Sequence, residues 1–200
     1  MKSNISIPIK DTLKLQPPGA GLPFYESFIA KLIARWVWPF LSTSDVLKRF
    51  KQEADMILSL TVAIPSDQAA RPVLIRRFIG IEDSSRYWSV FMVLDHLRIV
   101  DEKIAQCIED LSNDRPYDQE VRIQDVKPHE GVGSETVAAF IKVAASFEES
   151  ILKLGDLKQS RSHLHPWFGL LNAQGWLCLA SFHHRIHRRQ IERINNILSS

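Results

Sequence analysis

Apolar residues recur at three- and four-residue spacing in four long stretches, the periodicity of amphipathic helices. The first runs from about Asp45 to Ala63, with Leu47, Phe50, Ala54, Ile57 and Leu58 on one face. Ser42, Thr43 and Ser44 offer N-capping oxygens, and Pro65 ends it. The second starts near Ser84 or Ser85 and continues to about Leu111, with a stripe of Val93, Leu97, Val100, Ile104, Cys107, Ile108 and Leu111. His96 lies on that stripe, and Asn113, Asp114 and Pro116 end the helix. The third spans Glu135 to Leu154, capped by Ser134, with Val137, Phe140, Ile141, Ala144, Phe147, Ile151 and Leu154 inward. Gly155 then stands at the left-handed cap position. The fourth runs from Ala173 to about Leu198, capped by Asn172, with Trp176, Ala180, His183, His187, Ile191, Ile194 and Leu198 on its inner face.

Four such helices without a strong strand pattern predict an all-α fold, a four-helix bundle. Residues 65–83 read as an irregular connection and residues 155–172 as a loop. Residues 113–133 form a long polar connection, in which Val121 and Ile123 suggest a short extended piece. That connection exceeds a tight helix hairpin and can cross the bundle, letting helices two and three run parallel.

Ahead of the bundle, residues 1–23 end in a Pro/Gly cluster and read as a loop or extended arm. Phe24 to Trp38 has helical spacing, closed by Pro39. It reads as a docking helix on the main domain, because apolar helical faces usually meet a core. Being basic and Trp-rich, it also suits a membrane interface. The chain thus divides into an extension, residues 1–41, and a bundle domain, residues 42–200.

Composition narrows the function classes. The 200 residues carry 25 basic and 23 acidic side chains, a formal charge of +2, which argues against a polyanion-driven protein. Met1 to Lys10 lacks a signal-peptide pattern, and no apolar run approaches the ~20 residues of a membrane span. Cys107 and Cys178 form no motif, so neither a disulfide framework nor a Cys-rich zinc site is expected. These features predict a soluble cytoplasmic protein with free thiols.

The chemistry concentrates in His183-His184-Arg185-Ile186-His187-Arg188-Arg189-Gln190. His183 and His187, four residues apart, project from one helix face and can share a metal ion. A pair alone holds metal weakly, and such pairs are often only solvated patches. His96, on an apolar stripe where an unpaired ring is costly, is the natural third ligand. Three His ligands leave coordination positions open, as in catalytic sites. His184 points about 100° away and is not expected to ligate. His129, His163 and His165 fall in loops, with His165 able to line a pocket mouth. Asp95, Asp101 and Glu102 read as exposed helix charges or as groups behind a ligand. Arg185, Arg188, Arg189 and Arg193 read as a solvated face; nucleic-acid binding is the sharper alternative, weakened by the near-neutral total charge.

His183-x-x-x-His187-Arg-x-Gln190 on a C-terminal helix resembles the DinB/YfiT-like metalloenzyme superfamily. So do Tyr87-Trp88-Ser89 followed by Asp95-His96-Leu97, and His165-Pro166-Trp167-Phe168-Gly169-Leu170 before Gln174-Gly175-Trp176-Leu177. The resemblance covers roughly residues 45–198. It implies a bundle in up-down-down-up order, with His96, His183 and His187 as metal ligands and Gln190 supporting them. Gly175 stands where members often carry an acid, and Arg189 where many have Gly. Characterised members include S-transferases and isomerases that use low-molecular-weight thiols such as bacillithiol or mycothiol, which implies a bacterial protein; many others have no known activity.

The reading that follows is a transferase or hydrolase in which Zn²⁺ or Ni²⁺ at the three histidines activates a thiol or water for a small-molecule substrate. Loops 65–83 and 155–172 would shape its pocket, with Trp167 and Phe168 on the wall. The rival is a non-enzymatic, stress-related helical interaction protein, a homodimer in that reading, with a structural or vestigial metal and Phe24–Trp38 as its partner surface. No nucleic-acid partner is expected.

Overall fold

The computed structural model describes residues 14–199. The first part of the N-terminal arm, residues 1–13, lies outside them. Four long helices form the bundle: α2 (Thr43–Val62), α4 (Val90–Ser112), α5 (Glu135–Leu152) and α6 (Ala173–Leu198). Two shorter ones precede and follow α2, namely α1 (Phe24–Trp36) and α3 (Ser66–Ala69). Two antiparallel strand pairs accompany the bundle: β1 (Val73–Leu74) with β2 (Tyr87–Trp88), and β3 (Ser162–His165) with β4 (Gly169–Asn172).

Contacts between helices fix their directions. Near their starts, Thr43 of α2 donates to Gln174 of α6; near their ends, Asn195 of α6 donates to the Leu60 carbonyl. First and last bundle helices are therefore parallel neighbours. Gln190 reaches Ser85, just before α4, while His184 reaches Asp101 further along, so α4 and α6 are antiparallel. Phe140 shares a cluster with Val93 and Leu97, and Phe147 and Ile151 share one with Ile108 and Leu111, so α4 and α5 run parallel. The order is up-down-down-up, and the connection after α4 crosses the bundle. Phe50 stacks on Phe147 at 4.5 Å between ring centroids, joining α2 to α5.

Local chemistry explains most helix ends and corrects several expectations. Ser42 and Asn172 cap α2 and α6 by accepting the backbone N–H groups of Asp45 and Gly175. α4 starts at Val90, not at Ser84 or Ser85, because Tyr87 and Trp88 pair with β1 and Ser89 supplies the cap. Ser134 makes no capping bond; the Glu135 carboxylate accepts the Gly133 N–H instead. α5 stops at Leu152, and Gly155 does not adopt the left-handed conformation. Val121 and Ile123 form no strand; a 3-10 turn covers Ile123–Val126. Residues 155–172 are more ordered than a loop: they contain the β3–β4 hairpin, with Gly169 at positive φ.

α1 touches the bundle through Ala34 and through Glu26, whose carboxylate takes a bidentate bond from Arg77 and the Gly80 N–H. Trp38, just beyond it, stacks on Phe168 in the core. Phe24, Phe28, Ile29 and Trp36 remain exposed, so most of the apolar face of α1 does not meet the core. No helix among the described residues is long and apolar enough to cross a membrane.

Candidate metal centre

α4 and α6 bring three imidazoles together. His183 Nε2 stands 3.1 Å from His96 Nε2 and 3.0 Å from His187 Nε2. Helical spacing places His183 and His187 one turn apart, and the antiparallel packing of α4 sets His96 opposite them.

Hydrogen bonds behind the rings decide which nitrogens face inward. His96 Nδ1 lies 2.5 Å from the Val126 carbonyl, which can only accept, so Nδ1 carries the proton and Nε2 presents a lone pair. Gln190 Nε2 donates to the Ser85 carbonyl, turning Gln190 Oε1 towards His187 Nδ1 at 2.7 Å. That ring too holds its proton on Nδ1 and aims a lone pair at the cluster. His183 Nε2 thus faces two acceptors, while its own Nδ1 is buried without a partner. Burial lowers the pKa of His96 to about 4. Burial, reinforced by the neighbouring rings, puts His183 and His187 well below the ordinary histidine range. All three are neutral at pH 7.

This donor set fits a divalent cation. Nitrogens bound to one zinc ion at ~2.0–2.1 Å stand about 3–3.5 Å apart. Neutral imidazoles are the form that ligates. With the His183 proton on Nδ1, three lone pairs share one space, an arrangement that a cation satisfies and that protein groups alone leave frustrated. Among the described residues, the His, Cys, Asp and Glu group able to hold an ion comprises His96, His183 and His187.

The triad borders a cavity of about 350 Å³. Its lining includes Trp167 and Phe168, and also His165, whose Nδ1 accepts the Trp167 N–H. α1 contributes Ile29, Ala30 and Ile33. Trp88 stacks on His187 with ring centroids 5.9 Å apart, packing the back of the site.

No protein-family model and no curated protein matches the chain. A solved structure does: that of TT2238, a four-helix bundle protein, at a TM-score of 0.56 and 22% identity. The match covers 76% of this chain and 98% of that one. The shared feature is the fold.

Several residues around the site carry roles that sequence spacing concealed. Glu82 and Lys127 form a buried ion pair at 2.6 Å. Lys127 also contacts Ser84 and Ser85, and Glu82 accepts the N–H groups of Gly19 and Gly21. This pair ties the N-terminal arm and the crossing connection to the segment before α4. Burial pulls Lys127 down, opposed by Glu82, and its three bonds use all its protons. The two residues are 45 apart in sequence, and neither lies in a motif.

Asp101 and Asp95 are not exposed helix charges. Asp101 is fully buried and meets His184 Nε2 at 2.8 Å; burial pushes its pKa up, with His184 opposing. Asp95 accepts from Arg98 and from the His129 backbone and ring. The charged face of α6 is partly engaged as well. Arg188 pairs with Glu53 and Glu192, and the Arg189 and Arg193 guanidiniums lie over Phe78. Cys107 and Cys178 are buried free thiols, each pushed up to about 12 by burial, and are poor nucleophiles.

Gly175, where the resemblance leads one to expect an acid, has little room for a side chain. A Cβ there would stand 3.1 Å from Leu171 Cβ. Arg189 lies on the outer side of α6, away from the triad.

Proposed function

We propose that the chain is a metal-dependent enzyme of the DinB/YfiT type, with His96, His183 and His187 holding Zn²⁺ or Ni²⁺. The observation that carries this reading is the convergence of three neutral imidazole lone pairs beside a cavity. When bound, such an ion lowers the pKa of a thiol or water at its remaining positions and so supplies a nucleophile at neutral pH. A low-molecular-weight thiol is the preferred nucleophile, giving S-transferase chemistry; water would give hydrolysis. The chain's own groups orient and shield. Val126 and Gln190 lock the His96 and His187 rings, as hydrogen-bonded partners of ligating histidines do. Trp167, Phe168 and the α1 residues wall the cavity and limit water.

The exposed apolar face of α1 favours a second reading, an interaction protein with a structural or vestigial metal. Three ligands beside a cavity, rather than four in a closed cage, support the enzyme.

The test is elemental analysis of untagged protein after zinc or nickel loading, wild type beside His183→Ala. The expected result is about one metal per chain, lost in the variant. Equal metal in both proteins, or none in either, overturns the assignment.

A further inference from the structure

The cavity lining runs along two helices. Its floor follows α4 from His96 to Cys107 and α6 from His187 back to Trp176. Each stretch is twelve residues, with about 16 Å of helix between its ends. The triad sits at one end of that length. Between the ends, the floor includes Val100, Lys103, Ile104, Leu179 and Phe182, and Ala30, Ile33 and Trp38 lie over it.

The two buried carboxylates on the wall are engaged. Glu26 is held by Arg77 and the Gly80 N–H, and Glu82 and Lys127 hold each other. Outside these groups the charged side chains of the lining are Lys103, Glu120 and the paired Arg122 and Asp125, and most of the remaining lining is apolar. That apolar surface offers contact area to an apolar ligand, and binding from such burial grows with each methylene removed from water. The cavity volume, about 350 Å³, falls within the ~300–1,000 Å³ of small-molecule sites.

We infer that the groove takes an elongated apolar molecule, of the alkyl- or acyl-chain class, with its one metal-binding head at the triad and its chain lying along α4 and α6 beneath α1. This substrate class rests on the metal-enzyme reading for the head group and on the groove for the chain. A compact polar thiol would fill only the triad end. The outer face of α1 has no part in it: Phe24 is 85% exposed and lies away from the groove lining.

Straight-chain alkyl hydroxamates (butyl, hexyl, octyl and decyl) probe the two ends separately, with affinity read by calorimetry. Measured on zinc-loaded and metal-free protein, each added methylene should tighten binding about fourfold until the chain spans the groove. Ala30→Trp and, independently, Val100→Phe should flatten that dependence, whereas Phe24→Asp should leave it intact. A thermal unfolding curve like that of the wild type qualifies either blocking variant. A flat series in the wild type overturns the inference. So does chain-length dependence that survives both blocks, or that disappears in Phe24→Asp, since the chains would then lie on the outside of α1. Zinc uptake in the same samples separates the two readings. Bound zinc with a flat series removes the apolar substrate and leaves the metal centre. Chain-length dependence without zinc uptake supports the groove and removes the metal.

Discussion

His183 and His184 are adjacent on α6, yet they belong to opposite kinds of site. His183 faces the cavity and shares a space with His96 and His187. His184, a third of a turn away, is sealed between Phe50 and Phe140 and bonded to the Asp101 carboxylate. Both regions cross-link α4 to α6. One does so through a carboxylate that pairs with His184 Nε2, with His184 Nδ1 and Asp101 Oδ1 left without partners; the other is a set of acceptors that could share a cation. Identity of residue therefore says little about role. What decides is whether the partner across the helix interface is an acid or another neutral imidazole.

Acid breaks this contrast most visibly. His96 titrates at about 4 and His165 at about 3, both lowered by burial from 6.5. Below pH 6.5 the unfolded chain takes up protons that the folded one refuses, so stability is present above that pH and is lost as pH falls towards 4 and 3. The urea midpoint of metal-free protein should drop steeply across this window. Zinc, which binds only neutral histidines in the folded state, should move the loss to lower pH. An identical acid profile with and without zinc would mean that the triad does not contribute.

Asp101→Ala attacks the sealed region alone. Removing one partner of a fully buried pair costs about 3–5 kcal/mol. Denaturant titration should show that loss, and elemental analysis should show unchanged metal stoichiometry. Loss of metal with stability preserved would reverse the roles assigned to the two regions.

Gln190→Ala tests the support behind the open region. Such a group, hydrogen-bonded to a ligating histidine, typically contributes about 10–100-fold in metal affinity. A competition titration against a chelator should report a weakening in that range, with stoichiometry retained. No change would mean that the Gln190–His187 bond orients nothing the metal uses.

The four bundle helices and the shared face of His183 and His187 were legible because both depend on local periodicity. His96 was legible from its apolar stripe, where a lone ring needs a partner. The hairpin of Ser162–His165 with Gly169–Asn172 was not, because four-residue strands rich in His and Leu carry no alternation long enough to register. The start of α4 was misplaced because Tyr87 and Trp88 answer to Val73 and Leu74, a pairing with no local signature. Asp101 looked like a surface charge because its partner lies 83 residues away; Glu82 and Lys127 were concealed for the same reason.

The histidines stand on the bundle, whereas much of the cavity roof belongs to α1 and to the segment crossing from α4 to α5. Changes in the roof can therefore reshape the cavity while the scaffold that presents the nitrogens is left alone.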